Sequence, residues 1–325
     1  MIVVTGGAGF IGSNLVKALN YQGMDNILVV DDLSEVDKVG NLAGCDFIDF
    51  VDKEDFIQRI IACDEFEGLD AIFHQGACSD TMESDGRYMM QTNYEYSKTL
   101  LECASNRSVP FIYASSASVY GDGTTFIEKP EFEKVLNVYA YSKLLFDHYV
   151  RHHQNSLECQ TVGLRYFNVY GPGESHKGHM ASVAWHFSQQ HQEQGYVNLF
   201  EGSGGYADGE QLRDFVFIDD VIKINLHFLS HPEISGIFNV GTGRAQSFNE
   251  VAAAVLNTLS GEQRTIAEWV KKKAIRYIPF PKQLEGKYQS YTQADLDQLT
   301  VQGEYSAPFA DVEEGVSAYM AGLKA

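Results

Sequence analysis

Basic residues are scarce: 24 Lys and Arg stand against 44 Asp and Glu, a formal charge of −20 over 325 residues. Nucleic acid and anionic membrane surfaces require a basic footprint, so neither is an expected partner. A nucleotide ligand needs only a few local cations and stays open. No run of about 18 apolar residues is available to span a membrane, and no basic segment leads into an apolar one as an export signal would. With a strand opening at residue 2, the expected location is the cytoplasm. The five cysteines (Cys45, Cys63, Cys78, Cys103, Cys159) are odd in number and form no CxxC pair, which fits reduced thiols better than a disulfide framework. The ten histidines include no HExxH. His176 and His179 lack a cysteine or carboxylate partner nearby, so no metal site is expected. Internal repeats and low-complexity tracts are missing too.

What is present is an ordinary globular composition, 44% hydrophobic and 21% charged, long enough for one large α/β unit or two interleaved domains. Its most informative stretch is MIVVTGGAGFIG, Met1 to Gly12. A buried strand runs straight into glycines at Gly6, Gly9 and Gly12, and Gly7, Gly9 and Gly12 also satisfy GxGxxG. Glycine permits positive φ, lets backbone N–H groups approach phosphate oxygens, and lets the next helix lie close to its strand. The helix N-terminus then faces the anion. A second strand, Ile27 to Asp32, ends in acid, and Asp31 stands 19 positions after Gly12, near the distance at which a carboxylate meets an adenosine ribose. The pattern predicts a dinucleotide pyrophosphate site.

Strand and helix patterns alternate through the first half, which predicts a parallel sheet with helices on both faces. Further strands are expected at Phe47 to Val51, Ala71 to Ala77, Phe111 to Ser116 and Cys159 to Tyr170, with helices at Asn93 to Cys103 and Tyr139 to His152. After Gly171, Pro172 and Gly173 the pattern loosens into a second lobe. There, helices are expected at Met180 to Gln190, Asp220 to Leu229, Phe248 to Leu259 and Val312 to Leu323. Strands are expected at Val197 to Phe200, Asp214 to Phe217 and Ile237 to Val240. Lys271, Lys272 and Lys273 read as a solvated helix face. The fold class is α/β, a Rossmann-type doubly wound parallel sheet with a smaller C-terminal α/β substrate lobe. The dinucleotide domain is assigned to residues 1–168 and 214–242, the other lobe to 169–213 and 243–325.

Tyr139 and Lys143 carry the chemistry. At i and i+4 they share a helix face, so the ammonium can favour the ionised tyrosine and make it a base at neutral pH. Ser116, at the tip of a strand, can hydrogen-bond the same substrate oxygen.

TGGAGFIG (Thr5–Gly12), SSASVYG (Ser115–Gly121), YAYSK (Tyr139–Lys143) and RYFNVYGP (Arg165–Pro172) together resemble the extended short-chain dehydrogenase/reductase family, whose members modify nucleotide sugars. The likeness runs over nearly the whole chain. HKGHMASVAWHF (His176–Phe187), LFEGS (Leu199–Ser203), RDFV (Arg213–Val216), FNVGTGRAQSF (Phe238–Phe248) and YQSYTQADL (Tyr288–Leu296) are similar to a branch that inverts C6 of an ADP-linked heptose. The resemblance implies an epimerase working through a 6-keto sugar with a retained nicotinamide cofactor. It assigns Lys177 as a second acid/base opposite Tyr139. It implies that Asn168, His186, Phe200, Glu201, Gly202, Ser203, Arg213 and Tyr288 hold the ADP-heptose, with His179 near the reacting carbon. Phe10, Ile11, Gln75, Gly76, Ala77, Cys78, Ser79, Asn93 and Val169 would line the cofactor, together with Lys143 and Lys177.

Asp32 stands where that branch has asparagine, placing two carboxylates at the ribose 2′ position and favouring NAD. Lys38 and Lys53 match positions that attract a 2′-phosphate, and the expected cofactor is NADP. The loop Gly204 to Leu212 is longer than in that branch. The resemblance also implies a homo-oligomer, a pentamer or a pair of pentamers. Rival readings are a UDP-hexose 4-epimerase and a dinucleotide-binding regulator without catalysis.

Overall fold

The structure is a computed structural model and describes residues 1–62, 68–281 and 289–323. Strands β1 (Ile2–Thr5), β2 (Ile27–Asp31), β3 (Asp49–Asp52), β4 (Ala71–His74), β5 (Phe111–Ser116) and β6 (Thr161–Tyr166) enter one sheet. After β7 (Asn168–Tyr170), β8 (Val197–Phe200), β9 (Leu212–Arg213) and β10 (Phe215–Phe217), β11 (Gly236–Val240) completes it. The order is β11-β6-β5-β4-β1-β2-β3, with every pair parallel. Central strands of such a sheet are buried on both faces and read as continuous apolar runs, as IVVT and ILVVD do. Alternation still divides them: Ile2 and Val4 pack into the core with Leu15 and Leu19, while Val3 packs into the core with Leu100 and Leu101.

The order of strands reverses on either side of β1, and ligands bind at the carboxyl ends beside such a switch point. Gly6 lies there. Helix Phe10–Tyr21 follows it, with helix Ile218–Ser230 packed alongside. Strand β11 thus returns to the main sheet after the excursion that begins at β7. Smaller pairs, β7 with β10, β8 with β13 (Ile275–Ile278) and β9 with β12 (Gln246–Ser247), build the second region.

Several elements differ from the sequence expectation. The single strand Cys159 to Tyr170 is two. At Phe167, whose N–H donates to Val240 O at 3.0 Å, the chain leaves the main sheet, and β7 pairs with β10 instead. The helix expected at Asn93 begins earlier, as Gly86–Met90, passes through a π-turn at Gln91–Glu95, and continues as Tyr96–Asn106. Helix Lys53–Ile61 was not anticipated, although Asp52 caps it by accepting from Glu54 N at 2.8 Å. Lys271–Lys273 end a helix rather than line one, since Lys273 takes φ of 60°. Cys63 and Tyr288 lie outside the described residues; Cys45, Cys78, Cys103 and Cys159 form no disulfide with one another. No helix among the described residues is long and apolar enough to cross a membrane.

Candidate active site

The glycine turn is sterically closed to side chains. A Cβ on Gly6 (φ +66°) would stand 2.6 Å from Gly76 N, and one on Gly12 would stand 2.1 Å from Gly6 O. Helix Phe10–Tyr21 begins at Gly9 with no side-chain cap, so its first N–H groups are offered to an anion. Opposite, the loop after β4 is held by buried hydrogen bonds. Gly76 N donates to Thr5 Oγ1 (3.2 Å), which bonds His74 Nδ1 (2.7 Å), and His74 Nε2 bonds Ser97 Oγ (2.7 Å). Burial, aided by the Lys143 charge, pushes the His74 pKa down to about 3, so the ring is neutral. Gln75, Gly76, Ala77 and Cys78 are half-buried beside the turn, with Ser79 exposed. Asn93 does not face this space. It is 1% exposed and bonds Cys78 N (2.8 Å), Cys78 O (2.9 Å) and Ser142 Oγ (3.1 Å), so it acts through the Cys78 backbone.

At the end of β2, Asp31 accepts from Ala8 N at 2.9 Å, which ties the ribose-side acid to the glycine turn. Lys38 reaches Asp31 at 3.5 Å and Asp32 at 3.7 Å, and Lys53 bonds Asp32 directly. Burial would raise the Asp32 pKa, but hydrogen bonds from Lys53 and Ser34 and the two lysine charges hold it well below the carboxylate range. Two carboxylates and two ammonium groups therefore sit together at the end of β2.

Helix Val138–His153 presents Tyr139 and Lys143 one turn apart on one face. Ser116, at the carboxyl end of β5, hydrogen-bonds the Tyr139 hydroxyl. The Tyr139 pKa lies above its ordinary value, because burial outweighs the Ser116 bond. Lys143 Nζ instead donates to Ala114 O at 2.8 Å, and burial brings its pKa down to about 8 against the opposing pull of Asp147.

Lys177 lies on the short turn Ser175–Met180, whose Gly178 takes φ of 52°. Its Nζ stands 5.4 Å from the centre of the Phe10 ring, which brings it to the glycine-turn side of the cleft. Burial lowers its pKa and Glu174 opposes the shift. The turn touches Asn41 on one side and Asp80 on the other. Asn41 donates to Ala8 O and Gly173 O at 3.0 Å each, while exposed His179 faces Asp80 at 3.7 Å. His176 bonds Asn41 at 3.2 Å. Among the described residues no group of three or more His, Cys, Asp or Glu side chains could hold a metal ion.

The remaining candidates lie on the second region. Asn168 is exposed at the start of β7, Val169 is half-buried next to it, and His186 is half-buried on helix Val183–Gln194. Phe200 ends β8, and Glu201, Gly202 and Ser203 follow it. The loop 204–212 folds back onto them: Gly202 N donates to Asp208 Oδ1 at 2.8 Å, and Asn249 Nδ2 donates to Asp208 O at 2.9 Å. Arg213 is 5% exposed, donates to Leu212 O at 3.1 Å, and lies 5.9 Å from the Phe248 ring centre.

Sequence reasoning missed the groups that hold these residues in place. Asp147, fully buried one turn beyond Lys143, accepts from Tyr113, Ser115 and Arg165 Nε at 2.9 Å each. Arg165 is itself fully buried and pairs also with Glu133. Asp214 accepts from Thr242 N (2.7 Å), Gly243 N (2.9 Å) and Ala294 N (2.9 Å), stapling β10 to the loop after β11 and to residue 294. In sequence each is one charged residue among many.

The family model for the NAD dependent epimerase/dehydratase family matches residues 2–241. A relative named ADP-L-glycero-D-manno-heptose-6-epimerase, from Alkalilimnicola ehrlichii, is 55% identical over 320 residues, 98% of this chain and 96% of its own. The crystal structure of the Helicobacter pylori ADP-L-glycero-D-manno-heptose-6-epimerase aligns with a TM-score of 0.83 at 33% identity, covering 100% of this chain and 96% of that one. The Thermus thermophilus UDP-glucose 4-epimerase, solved with NAD, aligns with a TM-score of 0.77 at 27% identity, covering 99% and 98%.

Proposed function

The chain belongs to the NAD dependent epimerase/dehydratase family, and from that footing we propose that it inverts C6 of ADP-D-glycero-D-manno-heptose. The product, the L-glycero epimer, supplies the lipopolysaccharide inner core. The observation that carries the substrate is the 55% identity, end to end, to the heptose epimerase of A. ehrlichii. The test incubates the purified protein with ADP-D-glycero-D-manno-heptose and, separately, UDP-galactose, following C6 and C4 configuration by NMR. Inversion at C6 of the heptose is expected; activity on UDP-galactose alone would overturn the reading.

The cleft fits a nicotinamide dinucleotide. Gly6, Gly9, Phe10, Ile11 and Gly12 would hold the pyrophosphate, Asp31 the adenosine ribose, and the 75–79 loop with Val169 the nicotinamide half. Bound there, the group supplies a hydride acceptor that returns what it takes, so the reaction is redox-neutral and proceeds through a 6-keto sugar. Tyr139 removes the C6 hydroxyl proton while Ser116 hydrogen-bonds the same oxygen. Because burial favours the phenol, Tyr139 needs the cation of Lys143 on its helix face to reach the phenolate. Lys177 exchanges the proton on the other face of the sugar. Asn168, His186, the 200–203 segment and Arg213 would hold the ADP-heptose between the dinucleotide domain (1–168, 214–242) and the lobe (169–213, 243–325). A Lys177→Ala variant is expected to lose about 10²-fold or more in turnover, the scale of one general acid–base group, with KM little changed. Steady-state kinetics check this, and unchanged rates would return Lys177 to a binding role.

We further propose NADP as the cofactor, supported by Lys38 and Lys53 converging on Asp31 and Asp32 at the end of β2. A 2′-phosphate would take both ammonium groups from Asp31 and Asp32. Lys53→Ala is expected to weaken NADP about 10-fold, the scale of one charge-assisted bond, and to leave NAD affinity within about 3-fold. Calorimetry on cofactor-stripped protein measures both. Equal losses for the two nucleotides would remove Lys53 from 2′ recognition.

A further inference from the structure

We propose that Glu174 is the positioning residue for Lys177, holding the turn that carries it. The proposal rests on the reading of Lys177 as the second acid/base.

Glu174 is fully buried three residues before Lys177. One carboxylate oxygen accepts from Gly171 N at 3.2 Å and Ser182 Oγ at 2.7 Å, and the other accepts from Ser182 N. The Tyr319 hydroxyl, on the C-terminal helix Val312–Gly322, also hydrogen-bonds it. Its own carbonyl accepts from Lys177 N at 3.0 Å. A single carboxylate therefore closes the loop from the end of β7 to the start of helix Val183–Gln194 and ties that loop to the last helix. Lys177 projects from the closed loop.

The charge matters as much as the bonds. A half-buried lysine drifts toward its neutral amine, and an amine cannot donate the proton the ketone oxygen needs. The elements around Lys177 offer little compensation. Phe10 on the helix after the glycine turn is uncharged, Tyr319 is held as a phenol, and His176 is pushed toward neutrality by burial and by Lys38, with Glu35 opposing. Glu174 is the carboxylate whose field opposes the loss of the Lys177 proton. Removing its charge favours the amine, so the alkaline limb of the kcat profile, where the ammonium is lost, should move to lower pH.

Kinetics of the intact enzyme across pH test this with Glu174→Gln, Glu174→Asp, Lys177→Ala and the Glu174→Gln/Lys177→Ala double variant. Glu174→Gln is expected to lower kcat at least 10-fold with KM within about 3-fold, and to shift the alkaline limb down by about one pH unit, the effect of one nearby buried charge. Glu174→Asp keeps the charge on a shorter arm, so kcat falls while the limb stays. In the Lys177→Ala background, Glu174→Gln should cost nothing further. An unmoved limb in Glu174→Gln, or full additivity in the double variant, would overturn the role of Glu174 alone. Full turnover in Lys177→Ala would instead strike the reading of Lys177 itself.

Discussion

Replacing Tyr139 with phenylalanine is expected to lower kcat by about 10³-fold while nucleotide stays bound, because one oxygen is removed and nothing else is disturbed. General acid–base groups contribute about 10²–10⁴. Ser116 lies within hydrogen-bonding reach of that hydroxyl, but a serine cannot hold a negative charge near neutral pH. Lys143 is committed to Ala114 O. The proposed cofactor contacts, by contrast, come from the glycine turn, β2 and the loop after β4, none of which rests on the Tyr139 hydroxyl. The pH dependence has a definite sign. Burial raises the Tyr139 pKa, so the wild-type rate should rise with pH as the phenolate forms, and that acid limb should vanish in the variant. Rapid-quench turnover with the bound nucleotide quantified in the same sample decides it. A variant within about 3-fold of wild type, against the 10² floor for such a group, would rule out Tyr139 as the base.

The largest expected effect on stability is at Arg165, where methionine should destabilise the fold by about 3–5 kcal/mol. Arg165 is fully buried on β6 and pairs with Asp147 and Glu133, whose side chains are buried as well. Losing the guanidinium leaves two carboxylates facing each other in low dielectric, which is the costly case, whereas replacing a whole buried network by apolar groups need cost little. Arg151 still reaches Glu133 at 2.7 Å, so the heavier burden falls on Asp147. Burial would raise the Glu133 pKa, but Arg151 and Arg165 bring it down to about 2. The stability it contributes is therefore present above its unfolded value and is lost as pH falls toward 2. The variant should show a shallower acid slope. Urea melts at pH 7 and pH 4 measure both effects, and a loss below about 1 kcal/mol, the scale of an exposed pair, would contradict the account. Because Asp147 is one turn from Lys143, partially folded variants should also lose activity.

Much of this architecture was legible beforehand for local reasons. Buried parallel strands announce themselves as apolar runs, and β5 and β8 begin and end where the sequence places them. The glycine turn was legible because its steric demand admits few other residues, and Tyr139, Lys143 and Ser116 because their spacing matches a helix face and a strand tip. What escaped depends on distant partners. Nothing near Phe167 says that the chain changes sheets there, since the reason is the arrival of Val240 and β10. Asn93 reads as a cofactor contact until the structure shows its amide spent on Cys78 and Ser142. Asp147, Arg165 and Glu174 look like solvated charges in sequence, and only burial reveals their roles. One signal was available: Asp147 continues the Tyr139–Lys143 stripe by another turn, which places an acid on the face that must be buried. The pKa of Tyr139 could not be read from spacing, because burial and the direction taken by Lys143 decide it.

In the proposed reaction hydrogen leaves C6 as hydride and returns to the same carbon. The most direct measurement uses ADP-D-glycero-D-manno-heptose deuterated at C6, run in ordinary water, with the epimerised product analysed by NMR and mass spectrometry. The account predicts inverted configuration with the deuterium retained at C6. Loss of deuterium to solvent at the rate of inversion would mean proton abstraction from carbon, and would contradict it.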